Sequence, residues 1–261
     1  MKVFVAGASG AIGRRLLPQL IEAGHDVTGM TRSESSAERM RSKGAKAVVC
    51  DAFDRPALGR ALAEAAPDVV VNQLTALPED YDIRKIDYGP TNRLRTEGTR
   101  NLIEASLEAG ARRMIAQSIS FLIAPEGESV RDEDARAFTD APAPFDAGVV
   151  AALEMEREVT GTPGLEGLVL RYGFFYGPGT YYADDGYLAE ETRKRRQPIV
   201  GRGTGVFSFC HVDDAAGATV TAVERGAPGI HFYTLNRSPA TRAILAALRA
   251  IEPWTRAEQP V

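Results

Sequence analysis

The stretch Gly7-Ala8-Ser9-Gly10-Ala11-Ile12-Gly13 decides the fold, because it stands between a short apolar run and an amphipathic segment. The run before it predicts a buried strand, and residues 12–22 predict a helix with its apolar side chains inward. Gly7 permits a tight turn, Gly10 lets the backbone approach a pyrophosphate, and Gly13 lets helix and strand pack closely. The helix N-terminus would then supply free N–H groups and partial positive charge to the phosphates. This motif predicts a dinucleotide-binding unit.

Short apolar runs and amphipathic stretches alternate through the first 120 residues. The runs predict buried strands at 3–6, 25–30, 45–50, 67–71 and 113–118, and the stretches predict helices at 12–22, 34–43, 55–65 and 92–109. Strands that are apolar throughout and separated by helices are typical of a parallel sheet with right-handed crossovers. The predicted fold class is therefore α/β, a Rossmann-type doubly wound parallel sheet.

The alternation loosens after residue 121. The sequence predicts a loop at 124–147, a helix at 149–159, a strand at 165–171, a basic helix at 189–196 and a helix that begins at Asp213 or Asp214. We expect a dinucleotide-binding domain over residues 1–170, which also receives later segments. A small substrate-binding lobe would occupy mainly residues 171–261, interleaved with that domain.

Composition limits the classes of partner. The chain has 261 residues, with 31 basic and 35 acidic side chains and 44% apolar residues, as in an ordinary soluble protein. A net charge of −4 gives no reason to expect nucleic acid or an anionic membrane as a partner. Cys50 and Cys210 form neither a disulfide framework nor a metal-ligand pattern. With no apolar run near the ~18 residues of a membrane span and no room for a signal peptide before the first strand, we expect a cytoplasmic protein without a bound metal.

The spacing G-x-x-G-x-x-G resembles that of the extended and atypical branches of the short-chain dehydrogenase/reductase family. Four further segments carry the resemblance: Asp51-Ala52 after the third strand, Glu97-Gly98-Thr99-Arg100-Asn101-Leu102 in the central helix, Arg171-Tyr172-Gly173-Phe174-Phe175-Tyr176-Gly177-Pro178-Gly179, and Phe209-Cys210-His211-Val212-Asp213-Asp214. Together they resemble the epimerase/dehydratase-like branch. The resemblance implies a nicotinamide dinucleotide and a small-molecule substrate.

The resemblance also implies the cofactor-binding residues. They are Gly7, Ser9, Gly10, Ala11, Ile12, Gly13, Arg32, Ser33, Asp51, Ala52, Leu74, Thr75, Gln117 and Tyr172. The second strand ends without a carboxylate before Glu34, and a carboxylate there would repel a 2′-phosphate. Arg32 can pair with that phosphate and Ser33 can donate a further hydrogen bond. We expect NADP(H) in preference to NAD(H); the alternative is that Arg32 is one solvated side chain in an arginine-rich protein.

The family's acid/base residues are missing from the positions that the resemblance assigns to them. The catalytic Tyr and Lys of the family fall at Phe145 and Val149, its Ser falls at Ile119, and its Asn falls at Arg95. Phenylalanine has no ionisable proton, so tyrosinate-driven ketone reduction at Phe145 is excluded.

Other side chains could supply the chemistry. The candidate catalytic residues are Ser118, Ser120 and Tyr176, with Gln117 also near the nicotinamide end; the alternative for Gln117 and the serines is to hold the cofactor or the sheet edge. Tyr172, Tyr176, Tyr181 and Tyr182 are expected to form an aromatic pocket wall. His211 precedes a helix cap, and residues 193–196 form either a solvated basic face or a site for an anionic substrate such as a nucleotide sugar.

Three functions remain open from the sequence. The first is an NADP-dependent oxidoreductase or epimerase/dehydratase-like enzyme with a rebuilt acid/base site. The second is a non-catalytic NADP(H) sensor, which the loss of Tyr and Lys favours. The third is a non-redox isomerase or cyclase on the same fold. A homodimer through the long central helix is compatible with each.

Overall fold

Six parallel strands form the main sheet of the computed structural model, which describes residues 1–78, 86–126, 134–197 and 207–225. The strands are β1 (Lys2–Ala6), β2 (Asp26–Thr31), β3 (Lys46–Val49), β4 (Val69–Asn72), β5 (Arg113–Ile119) and β6 (Glu166–Tyr172). Their spatial order is β3-β2-β1-β4-β5-β6, so the order reverses between β1 and β4. This arrangement confirms the predicted Rossmann-type sheet and opens a crevice beyond the carboxyl ends of β1 and β4.

Eight α-helices in the described residues connect and cover the strands. They are α1 (Gly13–Glu22), α2 (Glu34–Arg41), α3 (Arg55–Ala65), α4 (Gly89–Arg93), α5 (Thr99–Glu108), α6 (Phe145–Gly161), α7 (Tyr187–Arg193) and α8 (Val212–Arg225). A π-helical turn, Leu94–Gly98, joins α4 to α5, and a 3₁₀ turn, Ser120–Leu122, follows β5. The single helix predicted at 92–109 is therefore interrupted by this turn.

Apolar side chains fill both faces of the sheet. Val3 and Val5 of β1 pack toward α1 and α8, whereas Phe4 and Ala6 pack toward α3, α5 and α6. All four are buried, as the alternating side chains of a strand covered on both faces must be. The two apolar layers hold the carboxyl edge of the sheet in place.

Helix α6 begins earlier than predicted. Residues 145–147 were expected in a loop, but Phe145 is the first residue of α6 and Asp146 lies in its first turn. The prediction was wrong because the apolar repeat becomes regular only at Val149. Pro144 at the N-cap and an acidic residue beside the helix N-terminus are both compatible with this start.

A second sheet of two short strands extends from the end of β6. β7 (Phe174–Tyr176) and β8 (Phe209–His211) pair in parallel, and neither was predicted from the sequence. Helix α8 follows β8 and packs against α1, where Arg15 pairs with Asp213. Residues 198–206 and 226–261 of the predicted lobe lie outside the described residues, as do 127–133 of the predicted loop.

Candidate functional site

The glycine motif forms the turn between β1 and α1. Gly7 has a φ of +83°, and a Cβ there would lie 2.5 Å from the carbonyl oxygen of Gln73. A Cβ on Gly13 would lie 2.5 Å from the carbonyl oxygen of Ala8, which explains the close packing of helix on strand. Gly10 differs, because its Cβ would meet the carbonyl oxygen of Gly7 at 3.3 Å and nothing closer. Gly10 therefore keeps open the space above the turn.

A cleft beside this turn brings together eight of the predicted cofactor residues. These are Gly7, Ser9, Gly10, Arg32, Asp51, Ala52, Leu74 and Thr75. The cleft also contains residues that the sequence reasoning missed: Met30, Thr31, Cys50, Phe53, Gln73 and Leu94. Half of the missed residues end or directly follow a strand, namely Thr31 of β2, Cys50 after β3 and Gln73 after β4. Their position at strand ends was the signal that could have found them.

The side chain of Gln73 shows that this cleft fits a polar ligand. Gln73 is 5% exposed, and neither Oε1 nor Nε2 has a hydrogen-bond partner within the described residues. A buried amide without partners costs about 1–3 kcal/mol, and a bound polar ligand would remove that cost. With the open turn at Gly10 and the N-terminus of α1 beside it, the cleft fits a nicotinamide dinucleotide.

The helix that follows β2 carries a second arginine besides Arg32. The Arg32 side chain is exposed at the end of β2. Ser33 caps α2: its hydroxyl accepts a hydrogen bond from the Ser36 N–H at 3.2 Å and donates to the Ser36 hydroxyl at 3.1 Å. Arg39 Nη2 donates to the same Ser36 hydroxyl at 2.7 Å. Arg39 was not predicted as a site residue, and its position one helical turn after Ser36 is what places it here.

An adjacent small cleft shares Ser9 with the larger one. Its lining includes the basic side chains of Arg14, Arg39 and Lys43. Ser9 accepts a hydrogen bond from the Thr31 hydroxyl at 3.3 Å, so the two clefts meet at the end of β2. This corner of the molecule is positively charged and lies beside hydroxyl groups.

Six of the predicted cofactor residues do not line the cleft: Ala11, Ile12, Gly13, Ser33, Gln117 and Tyr172. For the Tyr172 side chain the prediction is wrong, both as a cofactor contact and as part of a pocket wall. Its phenol is buried, donates to the Ala215 carbonyl at 2.9 Å and lies 3.1 Å from the Thr219 hydroxyl. Burial raises the pKa of this phenol above its ordinary value. Tyr172 thus joins β6 to α8.

The predicted catalytic hydroxyl groups lie at the carboxyl ends of the strands. Ser118 is in β5 and 1% exposed, and its Oγ has no hydrogen-bond partner within the described residues. Ser120 begins the turn after β5 and is also buried. Tyr176 ends β7 and packs edge-on against His211, with ring centroids 4.9 Å apart. Nothing in these contacts assigns a catalytic role to any of the three.

The positions assigned to the family's Tyr and Lys lie in an apolar cluster. Val149 is fully buried there with Leu122 and Ile123, and Phe145 packs at its edge. Arg95 approaches the same helix, since its Nη1 lies 3.4 Å from the Gly148 carbonyl oxygen. Burial lowers the pKa of this guanidinium, which nevertheless keeps its charge. The first turn of α6 therefore carries no acid or amine side chain except the carboxylate of Asp146.

The structure also shows the contacts of three further groups of predicted residues: the two loop tyrosines, His211 and the basic run. Tyr181 donates to the Pro78 carbonyl oxygen, and Tyr182 contacts Phe174 and Phe209. His211 Nδ1 accepts a hydrogen bond from the Asp213 N–H at 3.2 Å, so His211 caps the start of α8. In the basic run, Lys194 pairs with Glu190 and Arg196 with Glu191, as in a solvated helix face.

The fold and the cleft define a Rossmann-type nucleotide-binding protein of the extended short-chain dehydrogenase/reductase class. Residues 3–236 match the NAD dependent epimerase/dehydratase family, and the chain belongs to that family. Membership supports a nicotinamide dinucleotide as the cofactor. In the part of the chain that the structure describes, we find no helix long and apolar enough to cross a membrane.

Several curated relatives are reductases by name. The chain is 48% identical over 244 residues, 93% of this chain and 79% of the relative, to a 3-diazoavenalumate denitrifying reductase from a Streptomyces species. It is 27% identical over 254 residues, 95% of this chain and 72% of the relative, to a 4-hydroxy-2-methyl-3-oxo-4-farnesyl-3,4-dihydroquinoline-1-oxide ketoreductase from Stigmatella aurantiaca.

Solved structures share the fold. The UDP-glucose 4-epimerase of Thermus thermophilus, in complex with NAD, superposes with a TM-score of 0.70 at 23% identity; the alignment covers 96% of this chain and 83% of the epimerase. The UDP-glucose 4-epimerase of Bifidobacterium longum, with NAD⁺ and UDP, gives a TM-score of 0.69 at 19% identity, with 89% and 76% covered. At these identities the likeness concerns the fold.

Proposed function

We propose that this chain is an NADP(H)-dependent reductase that replaces the diazo group of a small molecule, in its diazonium form, by hydrogen. The name of the Streptomyces relative describes a reductase that removes nitrogen from a diazo compound. Identity of 48% over most of both chains makes that chemistry the first to consider. When bound, the reduced cofactor supplies a hydride.

The apolar side chains of Phe145 and Val149 in α6 are the observation that carries this proposal. Reduction of a ketone must deliver a proton to the oxygen as well as a hydride to the carbon, and we assign the family's proton donor and its activating cation to Phe145 and Val149. Neither side chain can donate a proton. Loss of N₂ needs none: the hydride forms a C–H bond, the C–N bond breaks, and its electron pair leaves with N₂. The positive charge of the diazonium group and the negative charge of the hydride cancel.

A preference for NADP(H) is part of the proposal. Arg32 lies exposed at the end of β2, and Arg39 is held one turn into α2 through Ser36. Guanidinium groups are well suited to a 2′-phosphate because they can donate two parallel hydrogen bonds. We propose that Arg32 binds this phosphate, with Ser33 and Ser9 nearby, and that Arg39 adds charge.

We further propose that Ser118, Ser120 and Tyr176 contact the substrate. The Ser118 hydroxyl is the strongest candidate, because it is buried without a partner in the described residues and therefore has hydrogen-bonding capacity left for a ligand. In this reaction the hydroxyl groups would orient the substrate and exclude water, without donating a proton to it. Gln117 lies on the same strand and would hold the cofactor side of the site.

Isotope transfer tests this reaction. The protein is incubated with an arenediazonium salt and NADPH carrying deuterium at the transferred position of C4, and NADPH loss, N₂ and the reduced arene are measured. We expect one deuterium per product molecule, a primary isotope effect and a solvent isotope effect close to one. Reactions without protein, and with a Gly10→Val variant, control for direct reduction by NADPH.

The outcomes separate the functions that the sequence left open. Product hydrogen drawn from solvent would overturn hydride replacement. NADPH binding with no turnover on diazonium, ketone or nucleotide-sugar substrates would instead favour the NADP(H) sensor. A cytoplasmic location, the division near residue 170 and a homodimer through the central helix remain our proposals, the last of which light scattering on the purified chain tests.

A further inference from the structure

Five aromatic side chains from four separate segments meet beyond β5 and β6. We call Phe121, Phe174, Tyr182, Phe207 and Phe209 the aromatic cluster. The ring centroid of Phe174 lies 4.3 Å from that of Phe121 and 5.7 Å from that of Tyr182. It lies 5.8 Å from the Phe207 ring and 5.6 Å from the Phe209 ring. Phe174 is therefore the centre of the cluster.

The aromatic cluster is placed by the ends of two paired strands. Ile119, the last residue of β5, pairs with Tyr172, the last residue of β6. Phe121 and Phe174 each follow two residues later, at the carboxyl edge where doubly wound sheets bind their ligands. The buried hydroxyl of Ser118 lies one residue before Ile119. The cluster thus borders the part of the edge to which we assign the substrate.

The rings of the aromatic cluster are not part of the hydrophobic core of the main sheet. Neither apolar layer of the sheet includes Phe121, Phe174 or Phe209. Phe207 is 56% exposed and Tyr182 is 36% exposed, although both touch other rings of the cluster. Contiguous exposed aromatic surface at the ligand-binding edge of a sheet is typical of a binding site, since water contact with these faces is unfavourable.

We infer that the aromatic cluster binds the planar ring of an arenediazonium substrate, an assignment that takes its reactive group from the proposed function. Aromatic rings pack against one another in offset or edge-on arrangements, which the tilted rings of the cluster already show. Their faces also attract cations, and a diazonium group makes the bound ring system cationic. The cluster would hold the ring while its C–N bond lies toward the carboxyl end of β5.

Binding of unreactive probes tests the cluster independently of the reaction. Phenyltrimethylammonium has the ring and the charge, cyclohexyltrimethylammonium has the charge with a saturated ring, and tert-butylbenzene has the ring without the charge. We expect phenyltrimethylammonium to bind best to the full chain by calorimetry. Phe207→Ala should weaken it roughly three- to tenfold and leave NADPH affinity unchanged. Leu107→Ala, an exposed apolar residue at the end of α5, is the matched control.

Kinetic measurements keep the two assignments distinguishable. In the diazonium assay, Phe207→Ala should raise KM with kcat changed less than twofold. Selective binding of the aromatic cation that is lost in Phe207→Ala, without any turnover, would support the cluster and overturn the proposed function. Turnover with an unchanged KM in Phe207→Ala and in Phe174→Leu would overturn the cluster. Equal binding of the cyclohexyl and phenyl cations, or displacement of either by UDP, would overturn it as well.

Discussion

The nucleotide cleft and the aromatic cluster lie at the same edge of one sheet, yet different physics builds them. The cleft is made by backbone: a positive φ at Gly7 and an absent side chain at Gly10, only three residues apart. The cluster is made by side chains from segments far apart in the sequence, such as Phe121 and Phe209. The first kind of site is encoded locally, and the second depends on how α6, β6 and the small sheet are held.

The largest expected effect concerns the framework beneath the aromatic cluster. Arg171 of β6 donates from Nε and Nη2 to the two carboxylate oxygens of Glu156 of α6, at 2.9 and 2.6 Å. The side chains are 16% and 10% exposed, so Glu156→Gln removes a negative charge that is hydrogen-bonded to a nearly buried guanidinium. We expect a loss of about 3 kcal/mol in the free energy of unfolding, measured in urea.

The control for this change lies on the same helix. Glu154 pairs with Arg100 at 3.0 Å, and both side chains are substantially exposed. Glu154→Gln should cost less than about 1 kcal/mol. Equal losses of unfolding free energy in the two variants would contradict this expectation. They would show that the more buried Arg171–Glu156 pair stabilises the fold no more than the exposed Arg100–Glu154 pair does.

The next effect tests the cleft as a backbone site. Gly10→Val should weaken NADPH binding roughly 100-fold, because a side chain would occupy the space that the pyrophosphate needs. The fold should survive, since a Cβ at Gly10 meets one atom, the Gly7 carbonyl oxygen, at 3.3 Å. Calorimetry measures affinity, and circular dichroism confirms folding. Gly59→Val, where a Cβ meets nothing within 4 Å, is the control; parent-like affinity in folded Gly10→Val would place the phosphates elsewhere.

The same contrast explains what the sequence could predict. Helix α3 matched its prediction because Asp54 caps it locally, by accepting from the Ala57 N–H, and Pro56 stands in its first turn. Strands β7 and β8 were missed because three residues are too few for a periodic signal and their pairing is non-local. The buried phenol of Tyr172 was misplaced for a related reason, since its partners in α8 are distant in the chain. Strand ends, glycines and caps were predictable; side-chain clusters assembled by tertiary contacts were not.

A smaller effect separates the two cofactors within the cleft. Arg32→Ala should weaken NADPH binding about 10- to 100-fold and leave NADH nearly unchanged, because a charge-assisted hydrogen bond is worth about 1.5–3 kcal/mol. Arg39→Ala should also weaken NADPH binding, but by a smaller factor, because Arg39 already donates a hydrogen bond to Ser36. Arg112→Ala, an exposed arginine at the opposite edge, is the control. Equal affinity of the parent protein for NADPH and NADH would exclude the assignment of Arg32.

The smallest effect concerns the contact between α1, which follows the glycine turn of the cleft, and α8, which follows strand β8 of the aromatic cluster. Arg15 of α1 pairs with Asp213 of α8 in bidentate fashion, and this hydrogen bonding lowers the pKa of the Asp213 carboxyl below its ordinary value. A carboxyl with a depressed pKa in the folded state adds stability above its unfolded pKa and loses it as pH falls through the folded value. Both side chains are more than one-third exposed, so solvent screening limits the pair to less than about 1 kcal/mol. We therefore expect Asp213→Asn to lower the free energy of unfolding by that amount at pH 7, and by a vanishing amount in acid, once the pH is below the folded pKa of Asp213. Urea titrations at both pH values, repeated in high salt, measure it. If the free energies of unfolding of the parent protein and of Asp213→Asn still differ in acid, Asp213 stabilises the start of α8 by hydrogen bonding alone. Helices α1 and α8 would then be joined by apolar packing rather than by charge.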